Sequence, residues 1–248
     1  MIGRETPESY PRSMPFATVG GFFDGPRPIV VGHRGDPARH RDNSLAGVMA
    51  GLSIEGAVEI DVRMTADGRL VLNHDHEIDG HVIAETSWDD LMRLPDDRRP
   101  IQLEDVISIP GRLDVEVKNL PWEPGFDPDG RVALMAASRL RRGDILTSFY
   151  WPDVDRVAQS TAVATGLVLG QDGSLEDAIS HAASIGHVAV FAHESTVRED
   201  LVESGETAGV RVAVWTVNDV QRARELAGMG VAAIISDDPR SLSSVLRE

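Results

Sequence analysis

Three apolar runs in this chain each end in, or alternate with, charged side chains, and the spacing gathers the charges of each run on one side. Val30-Val31-Gly32 leads into His33-Arg34-Gly35, Glu59 and Asp61 alternate with Val58, Ile60 and Val62, and Glu116 and Lys118 alternate with Val115 and Val117. Successive side chains of a strand point to opposite faces, so each charged pair shares one face and the aliphatic residues take the other. Three carboxylates brought together repel one another and are tolerable only beside a cation. The chain has no cysteine, which leaves no thiolate ligand, and an all-oxygen set suits one Mg²⁺ or Ca²⁺ rather than zinc.

A further run, Leu70 to Leu72, follows Asp67-Gly68, a dipeptide that favours a two-residue hairpin turn. Such a turn pairs Asp61 with His74 and brings the imidazole to the carboxylate face, whereas a slip of one residue sends it to the other face. Taken singly, each feature has an ordinary structural explanation: a capped turn for His-Arg-Gly, an exposed strand face for Glu-x-Asp. Two histidines, three carboxylates, an arginine and a lysine all at the ends of expected strands point instead to a site.

The elements that must position them alternate in type. Strands are expected at Ile29 to His33, Ala57 to Met64, Leu113 to Lys118, Asp144 to Phe149, Ala164 to Leu169, Val188 to His193, Arg211 to Val217 and Ala232 to Ser236. Helices are expected at Asn43 to Ser53, Arg131 to Arg142, Asp153 to Ser160, Ser174 to Ile185, Thr196 to Ala208 and Asp219 to Met229, with Gly186, Gly209 and Gly230 as stops. Eight strands with intervening helices predict an α/β protein with a (β/α)₈ TIM barrel, although an open doubly wound sheet alternates in the same way. In that barrel the strand ends carry the active groups. Residues 1–28 are expected to form an N-terminal arm and 29–248 a single barrel domain, with 76–110 a lid-like insertion after strand two.

Forty acidic against 24 basic residues give a formal charge of −16. That balance argues against nucleic acid and against stable membrane association as partners. An anionic small-molecule substrate would need locally concentrated arginine, lysine or metal. The opening residues contain no apolar stretch of signal-peptide length, so a cytoplasmic location is expected. The sequence leaves the oligomeric state open.

In chain order the motifs run His33-Arg34-Gly35, Asp42-Asn43-Ser44, Glu59-Ile60-Asp61-Val62, Thr65-Ala66-Asp67-Gly68, His74-Asp75 and Glu116-Val117-Lys118, followed by Ser148-Phe149, Val214 to Asn218 and Ile234 to Asp237 with Pro239. This ordered set resembles the glycerophosphodiester phosphodiesterase family, a PLC-like phosphodiesterase type, over most of the chain. One departure is that Asp42 and Ser44 stand where the family has Glu and Thr. The resemblance implies a TIM barrel that hydrolyses glycerophosphodiesters to glycerol 3-phosphate and an alcohol with one divalent cation, Mg²⁺ or Ca²⁺. It implies Glu59, Asp61 and Glu116 as metal ligands, His33 and His74 as the acid–base pair, Arg34 and Lys118 as phosphate contacts, and Trp215 against the alcohol. Asp75, Asn218 and Asp237 are read as supporting groups. A lysophospholipase D-like phosphodiesterase is the nearest alternative, and a non-catalytic phosphodiester-binding barrel a weaker one.

Overall fold

The computed structural model describes residues 21–247, and in chain order the elements follow a strand–helix rhythm with one interruption. β1 (Ile29–Gly32), α1 (Leu45–Glu55) and β2 (Ala57–Met64) come first. The interruption holds β3 (Leu70–Leu72), β4 (Glu77–Ile78), β5 (His81–Val82), α2 (Trp88–Leu91) and α3 (Leu103–Ile107). The rhythm resumes with β6 (Arg112–Val117), α4 (Arg131–Ala137), β7 (Ile145–Ser148), α5 (Trp151–Ser160), β8 (Ala164–Leu169) and α6 (Leu175–Ile185). It ends with β9 (Ala189–His193), α7 (Glu199–Ala208), β10 (Arg211–Trp215), α8 (Val220–Gly228), β11 (Ala233–Ser236) and α9 (Pro239–Leu246).

Eight of the strands are parallel neighbours in the order β1-β11-β10-β9-β8-β7-β6-β2, and the pairing of β1 with β2 at Gly32 and Val58 closes the ring into the expected (β/α)₈ barrel. The alternation in β2 and β6 sorts the core. Val58, Ile60, Val62, Leu113, Val115 and Val117 face outward into the large cluster shared with the helices. The barrel interior is filled by Ile29, Ala57, Ile145, Ala189 and Ala233 from the strand starts, with Val31, Phe191 and Ile235 above them.

Local chemistry sets the helix ends. Ser44, Ser174 and Asp219 each accept a hydrogen bond from a backbone N–H of the first turn of α1, α6 and α8, and Gly186 and Gly209 take the left-handed conformation after α6 and α7. The final helix, α9, is absent from the expected set. Its Asp238 cap and Pro239 opening are regular start signals, but its serine-rich body buries only Pro239 and Leu242.

Of the expected N-terminal arm, residues 1–20 lie outside the described residues. Phe22 is buried and packs with Phe23 against Phe191, closing the end of the barrel where the strands begin. Arg112 fastens this segment by donating to the carbonyls of Phe22 and Asp24. Segment 76–110 builds a small core of its own from Ile78, Ile83, Leu91 and Leu94 with Val71. Among the described residues, no helix is long and apolar enough to cross a membrane.

Asn119, just past β6, ties the barrel mouth to α5: its side-chain amide donates to the Asp127 carbonyl and to Asp153 Oδ2, both at 2.8 Å. Asp153 is 1% exposed, its Oδ1 receives no hydrogen bond, and burial pushes its carboxyl up to about 6. A raised folded value means the folded state holds a proton that the unfolded chain has released. The stability from that neutral carboxyl is therefore complete below about pH 4 and lost as pH rises through about 6. Asp153→Asn, which imitates the neutral form, is expected to melt with wild type near pH 4 and above it at pH 8, by on the order of 1 kcal/mol. Thermal melts at the two pH values check this, and a variant less stable than wild type at pH 8 refutes it.

Candidate active site

The loop after β1 is shaped by close packing against α1. Arg34 has a φ of 53° and Gly35 one of 103°, and a Cβ on Gly35 would lie 2.5 Å from the Gly47 carbonyl carbon. Gly51, one helical turn on, makes the same approach possible from the other side, since a Cβ there would meet the Gly35 oxygen at 2.7 Å. This contact turns His33 and Arg34 over the barrel mouth.

On β2 and β6 the register sets Asp61 beside Glu116 and Glu59 beside Asp114. Like charges at paired positions destabilise a sheet, so four buried carboxylates on adjacent strands are a cost that packing does not explain. A cavity of about 260 Å³ opens above them, and seven of the eight sequence-predicted site residues line it: His33, Arg34, Glu59, His74, Glu116, Lys118 and Trp215. Asp61 lies beneath, 1% exposed. A larger cavity of about 620 Å³ adjoins at Lys118, bounded by the β2–β3 turn, segment 76–84 and residues 118–127.

Charge is only partly balanced here. Lys118 Nζ bridges Glu116 and Asp61, standing 3.0 Å from Asp61 Oδ1, and Arg34 Nε is 3.3 Å from Asp61 Oδ2. Although burial opposes ionisation of Asp61, Lys118 and Arg34 together hold it down to about 2. Burial pushes Glu59 well above the usual carboxylate range, reinforced by Asp61 and Glu116, and it raises Glu116 and Asp114 as well.

The residues fit a divalent cation. Ligand oxygens of Glu59, Asp61 and Glu116 lie within 4.8 Å of one another, and Glu59 Oε1 is buried without a protein hydrogen bond. Four carboxylates face two cationic side chains, a deficit that one divalent ion balances.

Both histidines are oriented through Nδ1. His33 Nδ1 is 2.6 Å from Asp237 Oδ1, Asn218 donates to the other oxygen of Asp237 at 2.7 Å, and His33 Nε2 lies 4.0 Å from Glu59. His74 Nδ1 is 2.8 Å from Asp75 Oδ1. Each pairing leaves Nε2 free for other work.

The route that brings His74 to the site is not the expected one. β2 and β3 pair Val62 with Leu72 and Met64 with Leu70, so the turn has three residues, 66–68, and Asp61 lies opposite Asn73, whose N–H donates to the Asp61 carbonyl. Gly68, at φ 80°, closes this longer turn. A continued strand would carry His74 to the wrong face, but β3 ends at Leu72. Arg63 then holds the His74 carbonyl with two hydrogen bonds, of 3.0 and 2.6 Å, and is itself paired with Glu123 at 2.7 Å.

A model of the glycerophosphoryl diester phosphodiesterase family matches residues 33–241. The chain belongs to this family. A glycerophosphodiester phosphodiesterase of Caldanaerobacter subterraneus is 24% identical over 247 residues, covering 89% of this chain and 98% of that one. Among solved structures, an Oleispira antarctica phosphodiesterase in complex with the product sn-glycerol-3-phosphate is similar with a TM-score of 0.78 and 21% identity, over 89% of this chain and 97% of that one. The Thermotoga maritima glycerophosphodiester phosphodiesterase gives 0.75 at 21% identity, over 89% and 99%.

In this family member, three groups to which the sequence reading gave no role hold the site together, although Asn43 stood in a quoted motif. Asn43 clamps Asp61 from both sides, donating from Nδ2 to Oδ2 at 2.8 Å and accepting from the Asp61 N–H at 3.0 Å. Asp114 completes the carboxylate row and accepts from the Thr147 hydroxyl at 2.6 Å; the alternation that marked Glu116 and Lys118 marks it equally. Arg63 carries no such signal, because its target is a backbone oxygen. Trp215 meets Phe149 and His193 edge to face, with Nε1 donating to the Phe191 carbonyl, so its ring is fixed as a wall of the cavity.

Proposed function

We propose that this chain hydrolyses glycerophosphodiesters to glycerol 3-phosphate and an alcohol, with His33 and His74 as the acid–base pair. The observation that carries the reading is a pair of imidazoles, each with Nδ1 on a carboxylate, at the rim of a cavity floored by Glu59, Glu116 and Lys118. With Nδ1 so engaged, Nε2 of one ring accepts the proton of the attacking oxygen, and Nε2 of the other delivers a proton to the departing alkoxide as the P–O bond breaks. Arg34 and Lys118 bind the phosphoryl oxygens, supplying the local positive charge that an anionic substrate of a strongly acidic protein requires.

Glu59, Asp61 and Glu116 would hold one divalent cation, Mg²⁺ or Ca²⁺, which supplies Lewis-acid neutralisation of phosphoryl charge when bound. Trp215 and Phe149 flank the cavity as an apolar wall for the alcohol. Segment 76–110 serves as a lid through His76, Ile83 and Ala84, which border the larger cavity.

The test is release of glycerol 3-phosphate from glycerophosphocholine and glycerophosphoethanolamine, with EDTA and then with Mg²⁺ or Ca²⁺ restored. Metal-restored release is expected, and silence of folded, metal-loaded protein across the panel refutes the reading. One feature favours a lysophospholipase D-like activity instead: Trp122, 77% exposed, stands in the loop after β6 whose Leu120 and Glu123 line the larger cavity, and offers apolar surface to a long chain. Preference for lysophospholipid over both water-soluble diesters would decide for it.

A further inference from the structure

Away from the strand ends, α5 and α6 bring a second group of ligand-type side chains together. His181 Nε2 lies 3.0 and 3.1 Å from the two oxygens of Asp155, and His187 Nε2 lies 2.8 Å from Asp155 Oδ1. One ligand atom from each residue falls within 4.8 Å of the others. The His187 side chain is fully buried, whereas Asp155 and His181 are 22% and 34% exposed, so the cluster has a closed back and an open front. Nothing in the proposed hydrolysis uses it.

We infer that Asp155, His181 and His187 form a binding site for a borderline transition-metal cation of the Zn²⁺ type, separate from the barrel carboxylates. Two imidazole nitrogens and one carboxylate oxygen are a donor set for zinc-like ions and a poor one for Mg²⁺ or Ca²⁺, which the all-oxygen barrel cluster suits. Both separations from Asp155 are close to those of such a site, and the two imidazoles have ligand atoms within 4.8 Å of each other. Zinc–nitrogen bonds of about 2.0–2.1 Å set tetrahedral ligand separations of roughly 3.3 Å, so the separations of 2.8 and 3.0 Å need open by only a few tenths of an ångström.

The outer shell is present too. Thr165 Oγ1 on β8 is 2.7 Å from His187 Nδ1, where it can take the ring proton and leave the Nε2 lone pair for a metal. Burial holds His187 below the usual imidazole range, which favours the neutral form that ligates. His181 is the more exposed of the two imidazoles, and its ring lies 5.3 Å from that of Trp151. A cation bound there pins α5 to α6 and to the segment entering β9, and because the unfolded chain lacks this grouping it stabilises the folded state.

The experiment is Zn²⁺ titration of chelator-stripped full-length protein in excess Mg²⁺, read by calorimetry and by thermal melting. Wild type is expected to bind one equivalent of Zn²⁺ and to melt a few degrees higher when loaded. His181→Ala and Asp155→Asn are expected to lose both effects while Glu59→Gln keeps them. The half-exposed position of His181 and the preserved shape of Asn leave the fold in place, which circular dichroism checks. A wild type that binds no Zn²⁺ under excess Mg²⁺ overturns the inference and leaves the cluster a hydrogen-bonded helix clamp. Retention of the equivalent by both His181→Ala and Asp155→Asn, or its loss in Glu59→Gln, also overturns it.

Discussion

His33→Ala and His74→Ala are each expected to lower kcat by roughly 10²–10⁴-fold while leaving the melting temperature close to that of wild type. The two halves of this expectation rest on different facts. The loss follows because each ring has one nitrogen committed to a carboxylate and one facing the cavity, and alanine replaces neither. The intact fold follows because the His33 and His74 side chains are 20% and 42% exposed and belong to neither apolar cluster of the barrel. Asp237→Asn is the informative companion: it keeps the shape beside His33 but removes the charge that favours one ring tautomer, so it should lower kcat with little change in KM. Turnover within about tenfold of wild type in a folded His33→Ala or His74→Ala would remove that residue from the acid–base pair.

Lys118→Met is expected to have the largest effect on stability. Its ammonium is the cation seated between Asp61 and Glu116, and the side chain is 6% exposed. Methionine fills much of the same volume but, among the described residues, leaves Asp61 with Arg34 as its ion-pair partner and Glu116 with none. Removing one member of a buried ion pair costs about 3–5 kcal/mol, which in a protein of this size lowers the melting temperature by on the order of 10 °C. The deficit should be largest in EDTA and shrink with saturating Mg²⁺, because a divalent ion supplies the missing charge to the same oxygens. A variant that melts with wild type in EDTA would show that the lysine does not balance the cluster. Equal deficits with and without Mg²⁺ would argue against Glu59, Asp61 and Glu116 as its ligands. Activity should be lost in either case, since Lys118 is also a proposed phosphate contact.

What could be read from the sequence depended on whether a residue's position is governed by its own strand. β2 was legible to the residue, and β6 to within one, because aliphatic and charged residues in strict alternation, from Val58 to Met64 and from Arg112 to Val117, admit few other structures. The same alternation placed Glu59, Asp61, Glu116 and Lys118 on a common face. His74 is the contrary case. Its expected position depended on a turn of two residues, the turn has three, and the ring reaches the cavity because β3 stops early and Arg63 captures a carbonyl. No local pattern announces a guanidinium that bonds backbone eleven residues away. Asp155, His181 and His187 were similarly silent, since helices α5 and α6 meet only once the barrel curves them together.

The bond between His33 and Asp237 spans 204 residues, almost the whole described chain. Because β1 also pairs with β11, the strand that leads into His33 gains one of its neighbours only when the last barrel strand arrives. A chain that lacks residues 233–248 therefore has neither a sealed ring nor an oriented His33, whatever the state of β2 and β6. The arrangement works as a completeness check: a chain that stops short of β11 can neither close the ring nor seat His33 against Asp237, so truncation there removes the site rather than merely weakening it.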